Sequence, residues 1–354
     1  MKNFCGILVM ICCMGMKAQS ITPEDIKDIE TPKLYVSDFV SKAPLIDGFI
    51  DSEIWNRAQW SETFIDIEGK KKPKYKTNFK MLWDNENVYI LAKLQDEHIW
   101  GTLKQRDTII FNNNCFEIFL DPDGNTHNYM ELEINALNTV WDLFISKPYR
   151  NNPEVKFEWD IQGIKTEVSH EGTLNNSNDI DKGWVIEMAL PWKSLNVDND
   201  ESPVGKGRFW RMNFMRVHWN FLLDNGKYKR VRDYSNKLKP SSNWVWSSQG
   251  AVNIHQPEKW GYVYFNKSDE TVDINELPID APLIQWMYIQ YRQKLRVSNN
   301  VNEYSRETVG FFHGAKVVFK RRNIDKKWFW YCESPLTKKQ YLISNDGKLS
   351  IIKK

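Results

Sequence analysis

Two stretches of this chain carry hydrogen-bonding side chains at every second position. In Tyr129–Asn135, Tyr129, Glu131, Glu133 and Asn135 alternate with Met130, Leu132 and Ile134, so an extended backbone turns the polar set to one side and the apolar set to the other. In Phe209–Trp219, Arg211 and Asn213 lead a face that ends at Trp219, opposite Trp210, Met212 and Phe214. Carboxylates, amides and a guanidinium on one face suit a ligand rich in hydroxyls, which both donate and accept hydrogen bonds. The same residues would also serve simply to solvate an exposed sheet. Trp141, Trp219 and Trp246 are the candidate stacking surfaces for such a ligand, and equally candidates for core mass. The polar faces of the two stretches are expected to adjoin, with Trp141 or Trp246 beside them.

Two further groupings invite chemistry. Asp121, Asp123 and Asn125 around Gly124 have the oxygen spacing with which calcium loops begin. However, position twelve of that loop is Leu132 rather than a bidentate Glu, and a plain hairpin turn explains the same residues. Glu131 and Glu133 sit two residues apart, about 6.5–7 Å by the strand rise, and His218 and His255 offer bases. Catalytic carboxyl pairs of glycosidases flank the scissile bond from different elements, and no G-x-S-x-G nucleophile motif is present. Glycoside hydrolysis is thus the alternative to simple binding.

The elements that must position these residues are short and extended. Phe79–Trp83 and Val88–Leu94 flank an Asp/Asn turn, as do Cys115–Leu120 and Tyr129–Asn135 around Pro122 and Gly124. Val140–Ile145, Gly163–Val168, Trp184–Leu190 and Trp260–Phe265 continue the pattern. Many short strands with Gly, Pro and Asn turns predict a mainly β protein, an antiparallel sandwich of jelly-roll type. One short helix is expected after Asp51. Beyond Asn266 the polar run Ser268–Asp273 predicts a linker over 267–282, then a helix over 283–297 carried by Leu283, Met287, Tyr291 and Leu295. Three extended runs follow, the last folding on Asn345, Asp346 and Gly347. The whole reads as a sandwich over 19–266 and a small helix-plus-sheet appendage over 283–354.

Composition narrows the function classes. The net charge of +2 in 354 residues gives no concentrated basic surface for nucleic acid. The 16 tryptophans and 14 tyrosines fit both a full core and flat faces for sugar rings. Lys2 followed by the uncharged apolar Phe4–Met16 and Ala18 reads as a cleaved export signal over residues 1–18, too short to span a bilayer. Three of the five cysteines lie within it, so Cys115 and Cys332 alone cannot make a disulfide framework.

Taken in order, these elements resemble the carbohydrate-binding module family nine fold. The resemblance rests on Pro44–Gly48 with Asp51 and Trp55, on Leu82–Tyr89, and on Glu117–Pro122 with Glu131–Asn135. Gly183–Trp192, Trp210–Phe214 and His255–Gly261 complete it. Within the family the chain looks most like the Bacteroidetes type, which carries a similar C-terminal appendage. The resemblance implies a secreted β-sandwich that binds oligo- or polysaccharide without a required cofactor, with structural calcium as an additional feature of related sandwiches. It also implies a terminal sugar held between two tryptophans, one just ahead of the final Pro–Gly turn. Ile254 occupies that place here, so Trp244 and Trp246 are the expected substitutes.

Overall fold

The computed structural model describes residues 32–50, 53–195, 209–266, 278–297, 307–324 and 327–352. The expected export signal and most of the expected linker lie outside these residues. The two predicted hairpins form in register: Thr77–Trp83 pairs antiparallel with Asn87–Gln95, and Cys115–Asp121 with Tyr129–Asn135. Apart from the separate hairpin of Phe221–Asp224 and Lys227–Arg230, the described strands between residues 32 and 266 join one 13-stranded sheet. It is antiparallel throughout except at Leu34–Phe39, which pairs parallel with both Gly261–Asn266 and Thr77–Trp83. That strand is where the sheet turns over on itself. One layer runs Val140–Ile145, Tyr129–Asn135, Cys115–Asp121, Phe209–His218 and Gly261–Asn266. The other runs Thr77–Trp83, Asn87–Gln95, Gly183–Pro191 and Lys165–Glu171.

The layers meet through the predicted apolar sets. Phe116, Ile118, Leu120, Met130, Leu132, Ile134, Met212 and Phe214 face inward against Phe79, Ile90, Ile186 and Met188, and Phe79 stacks on Phe214 with centroids 3.8 Å apart. Removing such apolar surface from water is the main stabilising term of a sandwich. The helix expected after Asp51 is a single turn of 3-10 helix, Glu53–Arg57, which buries Trp55.

The appendage begins with the helix Ala281–Val297. Leu283, Met287 and Tyr291 pack against Phe319, Trp330 and Ile343 of a five-stranded antiparallel sheet. Its last hairpin turns at Gly347, whose φ of 90° is the left-handed conformation that glycine adopts without steric cost. The sheet also contains Glu307–Phe312, a strand that sequence patterning left unread. The seam with the sandwich is polar: Leu349 N–H donates to Asn125 O at 3.1 Å, Thr126 Oγ1 donates to Gly347 O at 3.0 Å, and Arg292 pairs with the buried Glu258 at 3.2 Å. Among the described residues no helix is long and apolar enough to cross a membrane.

Candidate functional site

The outer face of the first layer is where the polar alternation points, and it does not face water. A second core covers it. Cys115, Phe119, Tyr129, Trp141, Leu143, Ile145, Met215 and Val217 from four strands pack beneath Ile110, Ile254 and Trp260 from loops. Enclosed in this core are three carboxyl groups from neighbouring strands. Glu117 stands directly opposite Glu133 across the strand pair, and Glu131 lies on the same face of the same strand as Glu133. They are 1%, 1% and 6% exposed for Glu117, Glu133 and Glu131.

Their electrostatics follow from burial without counter-charge. Loss of water pushes the Glu131 carboxyl up to about 8. Burial first, then the neighbouring glutamates, push Glu117 and Glu133 well above the usual carboxylate range. Among the described residues no lysine or arginine offsets the burial of these three, so close acids of this kind share protons rather than all ionise. Burial likewise raises the Cys115 thiol, with Glu117 and Glu133 adding to the effect. Glu133 lies close to the Phe111 backbone and beside Glu131.

Around these acids stands a rim of aromatic rings. Phe111 is 42% exposed, Tyr149 46% and Phe157 56%. Trp141, itself buried, lies 6.1 Å from Phe111 and stacks on Phe157 at 6.2 Å and 9°. Tyr149 meets His255 edge-on at 4.5 Å, and His255 Nδ1 is 3.1 Å from Tyr129 Oη. Burial pushes His255 down to about 4, so the ring is neutral at physiological pH. Burial, then Glu131 and Glu133, push the Tyr149 hydroxyl up to about 12. The Trp219 indole N–H donates to Phe111 O at 2.7 Å, fixing the loop that presents Phe111. The arrangement offers flat exposed faces above buried hydrogen-bonding groups.

Several residues expected at a ligand surface do structural work instead. Trp246 lies in the core between the layers, packed so closely on Gly261 that a Cβ there would come within 2.2 Å of its ring. It is on the wrong side of the sheet to stack on a ligand at the polar face. Arg211 is buried with its guanidinium donating to Pro257 O at 3.3 Å and to Glu258 O, over the Tyr262 ring. Asn213 is spent on Ser247, accepting its N–H and donating to its carbonyl. Asn135 accepts the N–H groups of Leu137 and Thr139 and donates to Leu103 O. Nor do the two expected polar strands adjoin: Cys115–Asp121 lies between them and brings in Glu117. Tyr129, Glu131, Glu133, Trp141 and Trp219 do gather at the rim or under it. His218 stands away from them, on the inner side, stacked on Trp244 at 5.0 Å, so it cannot serve as a base for Glu131 and Glu133.

The Asp121–Asn125 loop closes on itself. Asp121 Oδ2 accepts Thr126 N–H, Asp123 accepts both the backbone and side-chain N–H groups of Asn125, and Asn125 Oδ1 accepts His127 N–H. Only Asp121 Oδ1 among these side-chain oxygens lacks a partner, and burial first, then Asp123, push that carboxyl well above the usual range against the weaker pull of Arg211. A calcium ion, which takes six to eight oxygens, does not fit this donor set.

Sequence reasoning missed Glu117, Phe111, Tyr149 and Phe157. Glu117 was within reach, because alternation puts it on the face of Cys115 and Phe119. The three rim aromatics come from irregular segments with no period to read.

Comparison with known proteins follows this geometry. Residues 46–209 match the family described as carbohydrate family 9 binding domain-like. Endo-1,4-beta-xylanase A of Thermotoga neapolitana is 26% identical over 152 residues, which are 43% of this chain and 12% of that enzyme. The chain therefore spans about an eighth of that relative. A family 9 carbohydrate binding module from Caldicellulosiruptor kristjanssonii in complex with cellotriose has 16% identity and a TM-score of 0.43, covering 70% of this chain and 98% of the other. A candidate carbohydrate-binding protein from Bacteroides uniformis has 14% identity and a TM-score of 0.49, covering 66% and 99%.

Proposed function

Starting from a chain that carries a family-nine-like carbohydrate-binding domain across residues 46–209, we propose that the aromatic rim on the outer face binds a saccharide. The observation that carries this reading is the set of half-exposed rings, Phe111, Tyr149 and Phe157, gathered around the buried Glu131 and Glu133, with the Tyr149 hydroxyl among them. Sugar rings pair an apolar face with a belt of hydroxyls, and this surface offers a partner for each. The reading extends to an exported protein that captures oligo- or polysaccharide without cleaving it. Export rests on Lys2 and the apolar Phe4–Met16 stretch. The absence of cleavage rests on Glu131 and Glu133 standing side by side on one face of one strand. A glycosidase instead holds its carboxyls about 5–9.5 Å apart across the bond.

The test is a glycan-array screen followed by calorimetry on the glycan it identifies. Each of Phe111→Ala and Tyr149→Ala removes a half-exposed ring. Hot-spot aromatic truncations cost about 2 kcal/mol or more, so affinity should fall roughly thirtyfold. Parent-like binding by both variants would place the site elsewhere.

A further inference from the structure

Below the rim, the outer core holds a second set of atoms that the saccharide reading does not use. Cys115 Sγ–H donates to Glu117 Oε1 at 3.3 Å. One ligand atom each of Cys115, Glu117 and Glu133 lies within 4.8 Å of the other two, and all three residues are fully buried. Glu133 Oε2 has no hydrogen-bond partner. An unpartnered buried oxygen costs about 1–3 kcal/mol, and native structures keep few of them. A proton would meet this deficit only by being shared with Glu131, on the same strand face. A cation removes it, and at the same time offsets the crowding of acids that no lysine or arginine relieves.

We propose that Cys115, Glu117 and Glu133 bind one divalent transition-metal ion of the zinc type. The donor set selects the class of metal. A thiolate is a poor ligand for calcium or magnesium, which take oxygens and in greater number. Zinc and cobalt accept sulfur at about 2.3 Å and carboxylate oxygen at about 2.0–2.2 Å. Tetrahedral ligand atoms at those bond lengths lie about 3.3–3.8 Å apart, a contraction that rotation of the two glutamate side chains supplies. Water takes the fourth position. Glu131, on the same face of the same strand as Glu133, stands beside that ligand outside the coordination sphere. Two carboxylates and a thiolate around a 2+ ion sum to a net charge of −1, and binding releases the protons these groups hold in the metal-free site.

This inference does not rest on saccharide binding, and its test uses none. The purified full chain is stripped with chelator, dialysed and titrated with Co²⁺ while absorption is followed. The expected result is one equivalent bound, with a thiolate-to-cobalt charge-transfer band in the near ultraviolet that Zn²⁺ abolishes by competition. Cys115→Ser should lose the band and bind at least tenfold more weakly. Glu133→Gln, which keeps the side-chain shape, should weaken binding at least tenfold. Cys332→Ser, in the appendage, should behave as the parent. No cobalt bound, cobalt bound without the charge-transfer band, or an unchanged band in Cys115→Ser would each overturn the proposal.

Discussion

The two faces of a single layer bury charge in opposite ways. On the inner face Arg216, wholly enclosed, pairs with Asp96 at 2.8 Å, donates to Gln95 O at 2.6 Å, and lies against the rings of Tyr75 and Trp244. On the outer face Glu117, Glu131 and Glu133 crowd together with no cation. The inner arrangement ties the two layers together: burial pushes Asp96 up and Arg216 down, each opposed by the attraction of the other. A matched pair of this kind is a structural device whose cost shows when one partner is lost. An unmatched cluster of like groups offers the fold no such pairing.

The sharpest way to break this contrast is to remove one member on each side. Arg216→Met strands Asp96 in the core, and the expected loss is about 3–5 kcal/mol. Asp96→Asn on top of it should recover much of that. Glu117→Gln on the outer face should cost less than about 1 kcal/mol in metal-free protein, because it takes away a like neighbour rather than a partner. Urea unfolding of the variants measures both. A single-mutant Arg216 cost below about 1 kcal/mol would mean that the inner pair is not what joins the layers.

A second test separates the faces by pH. Burial, then Arg216 and Lys74, push His218 on the inner face down to about 2, whereas His255 on the outer face is held at about 4. A histidine kept neutral in the folded state takes up its proton on unfolding. Its stabilisation is therefore complete above the unfolded value of about 6.5 and is lost as pH falls towards the folded one. Between pH 6.5 and 4 both rings should lower stability with acid, each by at most about 1.4 kcal/mol per pH unit. Below pH 4 only His218 continues. His218→Gln should flatten the stability curve across that lower range, and His255→Gln should leave it steep there. Equal slopes in the two variants below pH 4 would refute the assignment.

What was legible in the chain tracks where periodicity operates. The inward sets of Tyr129–Asn135 and Phe209–His218, and the Asn345–Gly347 turn, follow from alternation and turn chemistry, and the structure has them. The outer face misled because alternation tells which side a residue faces, not what lies over that side. Ile110 and Ile254 close it from loops that no period announces, joined by Trp260 just ahead of the strand Gly261–Asn266. Glu117 sits in a strand apolar on both faces, Phe116 to one side and Phe119 to the other, so its burial gave no contrast to notice. Trp246 follows a four-residue strand, too short to fix a face, and what places it is the missing side chain of Gly261.

The seam between sandwich and appendage gives a third arrangement of buried charge, and the smallest expected effect. Glu258 is buried, yet Arg150 and Arg292 outweigh that burial and hold its carboxyl below the usual range. This is the inner-face logic applied between two units, with Arg292 contributed by the appendage helix. Polar contacts accompany it: Asn125 and Thr126 of the sandwich meet Leu349 and Gly347 of the last hairpin. We propose that the polar Ser268–Asp273 stretch is a linker between the units. Limited proteolysis should then cut within 267–278 first, and the two fragments should still elute together. Thr126→Val keeps the shape of the side chain and removes one donor to Gly347 O, an oxygen that also accepts the Tyr288 hydroxyl at 3.0 Å. The loss should be about 1 kcal/mol, seen as a roughly fivefold weaker association of the fragments with the unfolding of each unit unchanged. First cleavage within 110–220 would contradict the linker. Fragments that separate on cutting would show that the charged seam does not hold the units together.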